Sequence, residues 1–218
     1  MAKRVAVVLS GCGVYDGSEI YESVLTLLRL DQTGAEVQCF APDMTQLHVI
    51  NHATGEVAEG ENRNVLVEAA RLARGEIRDL AEADAADFDA VILPGGFGAA
   101  KNLSDFALKG KDLTVVPQLV DFIRAMREAD KPVGLMCIAP AMTGVLFDGG
   151  ARCTIGSDPD IAAAIEATGA VHHPCAVDEI CVDRANKLVT TPAYLLAGSI
   201  SEAASGINKL VDEVLAMA

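Results

Sequence analysis

The segment Val133-Gly134-Leu135-Met136-Cys137-Ile138-Ala139-Pro140-Ala141-Met142 constrains the chain more than any other. Val133 to Met136 is a short apolar run that reads as a buried strand, and Ala139, Ala141, Met142, Val145 and Leu146 are apolar at helical spacings. Only Cys137 stands between them. A strand that becomes a helix with no connecting residues must turn sharply. The turn then holds one side chain at the carboxyl end of a sheet with a helix N-terminus behind it, a nucleophile-elbow arrangement built here on a thiol. A helix N-terminus lowers a thiol pKa, and the backbone N–H of Ile138 faces any oxyanion formed at that point. A buried structural cysteine, the usual fate of a free thiol, is the other reading of the same residues.

The rest of the chain alternates strand and helix. Residues 5–9 form a β-branched apolar run that suits a strand buried on both faces, followed by the loop Ser10-Gly11-Cys12-Gly13-Val14-Tyr15-Asp16-Gly17. Ser18 is the expected N-cap of a helix whose apolar stripe is Ile20, Val24, Leu27 and Leu28, ended by Gly34. Residues 36–41 are a second strand, so the chain opens as βαβ, with a parallel sheet and a right-handed crossover. Residues 44–64 carry a short strand or flap at Val49-Ile50. A helix is expected over 65–74, a strand over 89–93 running into Pro94-Gly95-Gly96-Phe97-Gly98, and a helix within 113–129. After the elbow come short strands at 152–155, 170–173, 180–183 and 188–191, a helix from Asp158-Pro159, and a terminal amphipathic helix over 201–217.

With 218 residues, no internal repeat and no linker, the expectation is one α/β domain spanning 1–218: a three-layer flavodoxin-like sandwich with a mostly parallel sheet and helices on both faces. No apolar run approaches the roughly 18 residues of a membrane span, and Met1-Ala2-Lys3-Arg4 leads into a first strand rather than a signal peptide. A net charge of -14 argues against nucleic-acid and anionic-membrane partners. Six cysteines without CxxC spacing suggest reduced thiols and hence a cytoplasmic location. Four histidines without metal-ligand spacing give no zinc signal, and the Gly95-Gly96 loop is a poor match to a dinucleotide loop, so neither metal nor cofactor is expected.

Ligands of open parallel sheets bind outside the carboxyl ends of the strands. The Gly11-Cys12-Gly13 loop, the Gly95-Gly96 loop, Cys137 and Thr191-Pro192 all fall on that rim, and Glu22 is early enough on the first helix to reach it. A thiol, a carboxyl and two sets of backbone donors suit covalent chemistry on a carbonyl.

Four stretches resemble the ElbB family: Ser10 through Glu19, Pro94 through Leu103, Met136-Cys137-Ile138-Ala139-Pro140-Ala141, and Thr191-Pro192-Ala193-Tyr194. That family is part of the PfpI-like, class I amidotransferase-like superfamily, which also contains the Parkinson-disease protein deglycase. The resemblance covers essentially the whole chain. It implies a flavodoxin-like fold, a homodimer, Cys137 as nucleophile, Glu22 as its acidic partner with Glu19 as second choice, and Gly96 with Ile138 as oxyanion donors. The activities it implies are cofactor-free glyoxalase and deglycation; an isoprenoid-biosynthesis label is also attached to such proteins.

The chain departs from its wider relatives in three places. PfpI-type hydrolases place His after the nucleophile, where this chain has Ile138. The deglycase branch has a His at the position of Gly156, and amidotransferases need His-Pro-Glu where this chain offers His173-Pro174-Cys175. A thiol–carboxyl pair is left, with no role established for His48, His52, His172 or His173. The leading expectation is a glyoxalase acting on glyoxal or methylglyoxal. The alternatives are a redox-sensing or partner-binding protein, with oxidisable Cys137 and Cys12 as resolving thiol, a vestigial amidotransferase subunit, and a non-catalytic α/β subunit.

Overall fold

A computed structural model describes residues 2–218. The strands are β1 (Arg4–Val8), β2 (Glu36–Ala41), β3 (Ile50–Asn51), β4 (Glu56–Val57), β5 (Ile77–Asp79), β6 (Ala90–Leu93), β7 (Val133–Met136), β8 (Arg152–Cys153), β9 (Val171–His172), β10 (Cys181–Asp183) and β11 (Leu188–Thr191). The helices are α1 (Ile20–Gln32), α2 (Val65–Ala69), α3 (Phe97–Lys101), α4 (Phe106–Lys109), α5 (Pro117–Glu128), α6 (Thr143–Leu146), α7 (Pro159–Glu166) and α8 (Ile200–Met217). The seven-stranded sheet has the order β10-β11-β7-β6-β1-β2-β5. All its pairings are parallel except β10 with β11. This is the expected flavodoxin-like α/β fold.

Alternation along the strands sorts the core into two layers. Val5, Val7 and Leu9 of the first strand region pack with Ile92 and Met136 under Leu30 of α1 and Ile207, Leu210 and Val214 of α8. Ala6 and Val8 face the other way, with Val91, Leu93, Val133 and Leu135, under Leu119, Phe122, Ile123 and Met126 of α5. β3 and β4 form a hairpin outside the main sheet, and β8 and β9 form a second two-stranded piece. Among the described residues no helix is long and apolar enough to cross a membrane.

Three local expectations fail. Ser18 does not cap α1: its hydroxyl accepts the Ser10 N–H at 2.8 Å, inside the first loop. Glu19 is the cap, its carboxylate accepting the Glu22 N–H at 2.6 Å. Most of the apolar stripe of α1 also faces outward, since Ile20, Val24 and Leu28 are 41%, 47% and 46% exposed while Leu27 packs partly against the core and Glu22, Ser23, Thr26 and Leu30 are buried. Finally, no long α-helix follows Cys137. A 3-10 turn over Ala139–Met142 runs into the single turn of α6, with Pro140 near its start.

Candidate active site

Cys137 sits between β7 and the Ala139–Met142 turn with φ of +57°, the left-handed region. For a residue with a Cβ that conformation costs about 1–2 kcal/mol, and the surroundings hold it in place. Its N–H donates to Thr191 O at 3.0 Å, continuing the β7–β11 ladder one residue past the strand. The backbone N–H groups of Gly96 and Ile138 neighbour the Cys137 sulfur and favour its ionised form. Gly96 follows β6 and has φ of +90°; a Cβ there would lie 2.3 Å from Glu19 N and 2.4 Å from Gly17 O. Glycine is what lets this loop lie flat against the first loop and aim its N–H at the thiol.

Glu22 comes from the first turn of α1 and is fully buried. Its carboxyl accepts the Gly95 N–H at 2.8 Å and the Tyr194 N–H at 3.1 Å, and lies beside the Cys137 side chain. Gly95 is equally tight: a Cβ there would lie 2.5 Å from Cys137 Cβ and 2.9 Å from Glu22 Oε2. Glu19 is engaged elsewhere. Its carboxylate points along α1 to the Glu22 N–H, and its own N–H donates to Gly95 O at 3.0 Å. All four site residues read from the sequence (Cys137, Glu22, Gly96 and Ile138) therefore converge.

The electrostatics differ from the expectation. Burial pushes the Glu22 carboxyl up from 4.5 to about 7, with the neighbouring Glu19 adding to the rise against the Tyr194 and Gly95 N–H groups. Burial, followed by the charge of Glu22, holds the Cys137 thiol well above its ordinary value, against the Gly96 and Ile138 N–H groups. The lowered thiol pKa expected of an elbow helix is therefore absent. The helix is one short turn, and desolvation next to a carboxyl outweighs its dipole, an effect of about 1 kcal/mol at exposed sites. Near neutral pH the resting pair is a thiol beside a carboxyl poised to titrate.

Other candidates lie apart from this pair. Cys12 is only partly buried, and the charges it feels are those of Arg71, Glu68 and Asp16. His52 accepts the Tyr15 N–H at 3.2 Å and stands 3.8 Å from Asp16 on the β3–β4 hairpin. His172 accepts the Ile155 N–H at 3.4 Å. A hollow of about 340 Å³ bordered by Arg127, Lys131 and Lys187 lies at the amino ends of β7 and β11, away from the thiol. Among the described residues no three His, Cys, Asp or Glu side chains are grouped to hold a metal ion. Sequence reasoning missed Gly95 and Tyr194 as partners of Glu22. Gly95 was within its reach through the paired glycines; Tyr194 contributes a backbone group, which leaves no signature in residue type.

Comparison with known proteins gives the chain a family. The family pattern described as DJ-1/PfpI matches residues 3–194. The chain belongs to the DJ-1/PfpI family. A human relative, glutamine amidotransferase-like class 1 domain-containing protein 3, mitochondrial, is 48% identical over 98% of this chain and 83% of its own length. The mitochondrial ES1 protein of Danio rerio is 34% identical, over 88% of this chain and 77% of its own. The crystal structure of an isoprenoid biosynthesis protein with amidotransferase-like domain from Ehrlichia chaffeensis covers 99% of both chains at 35% identity and a TM-score of 0.93. Drosophila melanogaster DJ-1beta, at 15% identity and a TM-score of 0.57, shares the fold.

Within the DJ-1/PfpI family, then, the human, rat and zebrafish relatives carry the ES1 and amidotransferase-like names rather than ElbB. The expected cytoplasmic location is overturned by the same comparison, since the human, rat and zebrafish relatives are all named as mitochondrial. Cysteine usage reports a reducing environment and does not distinguish one reducing compartment from another.

Proposed function

We propose that this DJ-1/PfpI protein is an ElbB-like, cofactor-free glyoxalase acting on a small 2-oxoaldehyde. The observation that carries the reading is the Cys137 thiol beside a buried Glu22 whose carboxyl titrates near 7, with the Gly96 and Ile138 N–H groups next to the same sulfur. A general base is most effective with a pKa near the working pH. Ionised Glu22 takes the thiol proton as Sγ adds to the aldehyde carbon, giving a hemithioacetal. The developing alkoxide is stabilised by the donors that held the sulfur. A proton then moves from C1 to C2 through an enediol with Glu22 as carrier. Water hydrolyses the resulting thioester, so that glyoxal plus water gives glycolate and methylglyoxal plus water gives lactate, with the thiol restored and no net redox change.

The test is hydroxyacid formation from glyoxal and methylglyoxal without glutathione or metal, on the wild type and on Cys137→Ala. Hydroxyacid from the wild type alone supports the reading. Equal turnover by the variant ends it.

The same reading includes a homodimer. Support comes from α1, whose Ile20, Val24 and Leu28 form an exposed apolar row one helical turn apart beside the exposed Tyr21. Sedimentation velocity of the wild type and of Val24→Glu with Leu28→Glu checks it: a dimer for the former and a monomer for the latter.

A further inference from the structure

Behind the loop that supplies Gly96 lies a cavity of about 330 Å³ lined by Tyr15, Ile50, Gly55, Phe97 and Lys101. Its position follows from the chain. α3 starts directly after Gly96, so Phe97 follows the residue whose N–H neighbours Cys137. Phe97 and Lys101 are one helical turn apart and share a face, while Gly98, Ala99 and Ala100 are buried on the other. The Phe97 N–H donates to Val14 O at 2.8 Å, locking α3 to the loop that carries Tyr15. The β3–β4 hairpin forms the far wall, anchored by the Ile50 N–H donating to the buried Asp16 carboxylate at 2.7 Å.

The lining is unusual for this protein. In a chain of net charge -14, the cation is held by a carbonyl rather than a carboxylate: Lys101 Nζ donates to Tyr15 O at 2.9 Å. The ammonium lies 5.2 Å from the Phe97 ring centroid, folded back toward the start of α3. Burial lowers its pKa, with Asp16 opposing. Two of its three protons are left for another acceptor. Tyr15 and Phe97, large apolar residues kept 41% and 48% exposed, flank it.

We propose that this cavity is the recognition subsite for the substrate of Cys137, and that it selects an aldehyde with an anionic group, a carboxylate or phosphate, on a short planar or apolar body. The anion pairs with Lys101 and the body lies between Tyr15 and Phe97. Hydrogen bonds from the Glu19 N–H to Gly95 O and from the Phe97 N–H to Val14 O run the two loops side by side from the Glu22 end to the cavity. A simple oxoaldehyde occupies only the thiol end. The inference rests on Cys137 as the carbonyl-binding thiol, and its test does not need turnover.

Benzaldehyde and 4-carboxybenzaldehyde form reversible hemithioacetals and differ only in the remote carboxylate. Each is used to protect Cys137 against iodoacetamide, followed by peptide mass analysis, in the wild type, Lys101→Met and Lys101→Arg. The expected result is half-protection by 4-carboxybenzaldehyde at a roughly tenfold lower concentration than by benzaldehyde in the wild type. That preference is lost in Lys101→Met and kept in Lys101→Arg. Equal protection by the two aldehydes in the wild type, or a preference that survives in Lys101→Met, overturns the subsite. If neither aldehyde protects Cys137 while methylglyoxal is still turned over, the subsite falls and the glyoxalase reading stands; if turnover is absent as well, both fall. The same assay with free benzoate and inorganic phosphate as competitors separates carboxylate from phosphate preference.

Discussion

Glu22 and Gly95 are joined by a 2.8 Å hydrogen bond from the glycine N–H to the carboxyl, so the acid and the loop that carries Gly96 form one unit. Glu19 closes the unit from the other side: its N–H donates to Gly95 O and its carboxylate accepts the Glu22 N–H. A Cβ on Gly95 would fall 2.5 Å from Cys137 Cβ, against a backbone-bound group that cannot swing aside. Gly95→Ala is therefore expected to destabilise the fold by about 1–3 kcal/mol, the usual range for overpacking a tight interior. It is also expected to lower hydroxyacid formation at least tenfold. Urea denaturation and turnover on the same preparation check both. Full activity in a stable variant would show that the thiol and carboxyl need not be this close.

Burial of Glu22 has a pH signature. Its carboxyl titrates at about 7 in the folded protein against 4.5 ordinarily, so between those values the folded state holds a proton that the unfolded chain has lost. Stability from this group is complete below pH 4.5, declines as pH rises, and is gone above about 7. At 1.36 kcal/mol per pKa unit the decline is roughly 3 kcal/mol. Glu22→Gln cannot ionise and is expected to flatten that part of the stability profile while abolishing turnover. Urea unfolding at pH 5 and pH 8 provides the comparison, and a wild-type profile parallel to that of the variant would contradict the burial argument.

Activity is expected to move in the opposite direction. The base form of Glu22 accepts the thiol proton, so kcat/KM should rise with pH through an apparent value near 7 that belongs to the Glu22–Cys137 pair. The charge of Glu19 contributes to the raised value. Glu19→Gln keeps an oxygen for the cap and removes that charge, so its pH–rate midpoint is expected below the wild-type one. Glu19→Ala also loses the cap, at about 1 kcal/mol of stability. A midpoint unmoved by Glu19→Gln would separate the two carboxyls electrostatically.

The positive φ of Cys137 supplies a further check. Glycine normally destabilises relative to alanine, but at φ of +57° the order reverses because alanine carries the Cβ strain. Cys137→Gly is expected to be about 1 kcal/mol more stable than Cys137→Ala by thermal or urea unfolding, both being inactive. The ordinary order, alanine above glycine, would place the residue outside the left-handed region.

Much of this protein is legible in residue order. The apolar runs of β1, β6 and β7 can only be strands buried on both faces, because no polar side chain interrupts them. The absence of a loop between β7 and Ala139 forces a turn at Cys137, and the paired glycines after β6 mark the loop that approaches it. What residue order did not disclose is the orientation of α1. Ile20, Val24 and Leu28 of its apolar stripe point outward, and its buried face carries Glu22, Ser23 and Thr26 beside Leu30. That inversion is stable only because each polar group finds a partner in three dimensions: Glu22 on Gly95 and Tyr194, Ser23 on Glu19 O, Thr26 on Met136 Sδ. Periodicity reports where apolar residues lie along a helix and assigns them inward by default. Which face turns inward depends on the hydrogen bonds waiting there, and the protonation of Glu22 and Cys137 depends on how completely water is excluded around them. Both belong to the packed structure, since desolvation comes from atoms distant in sequence.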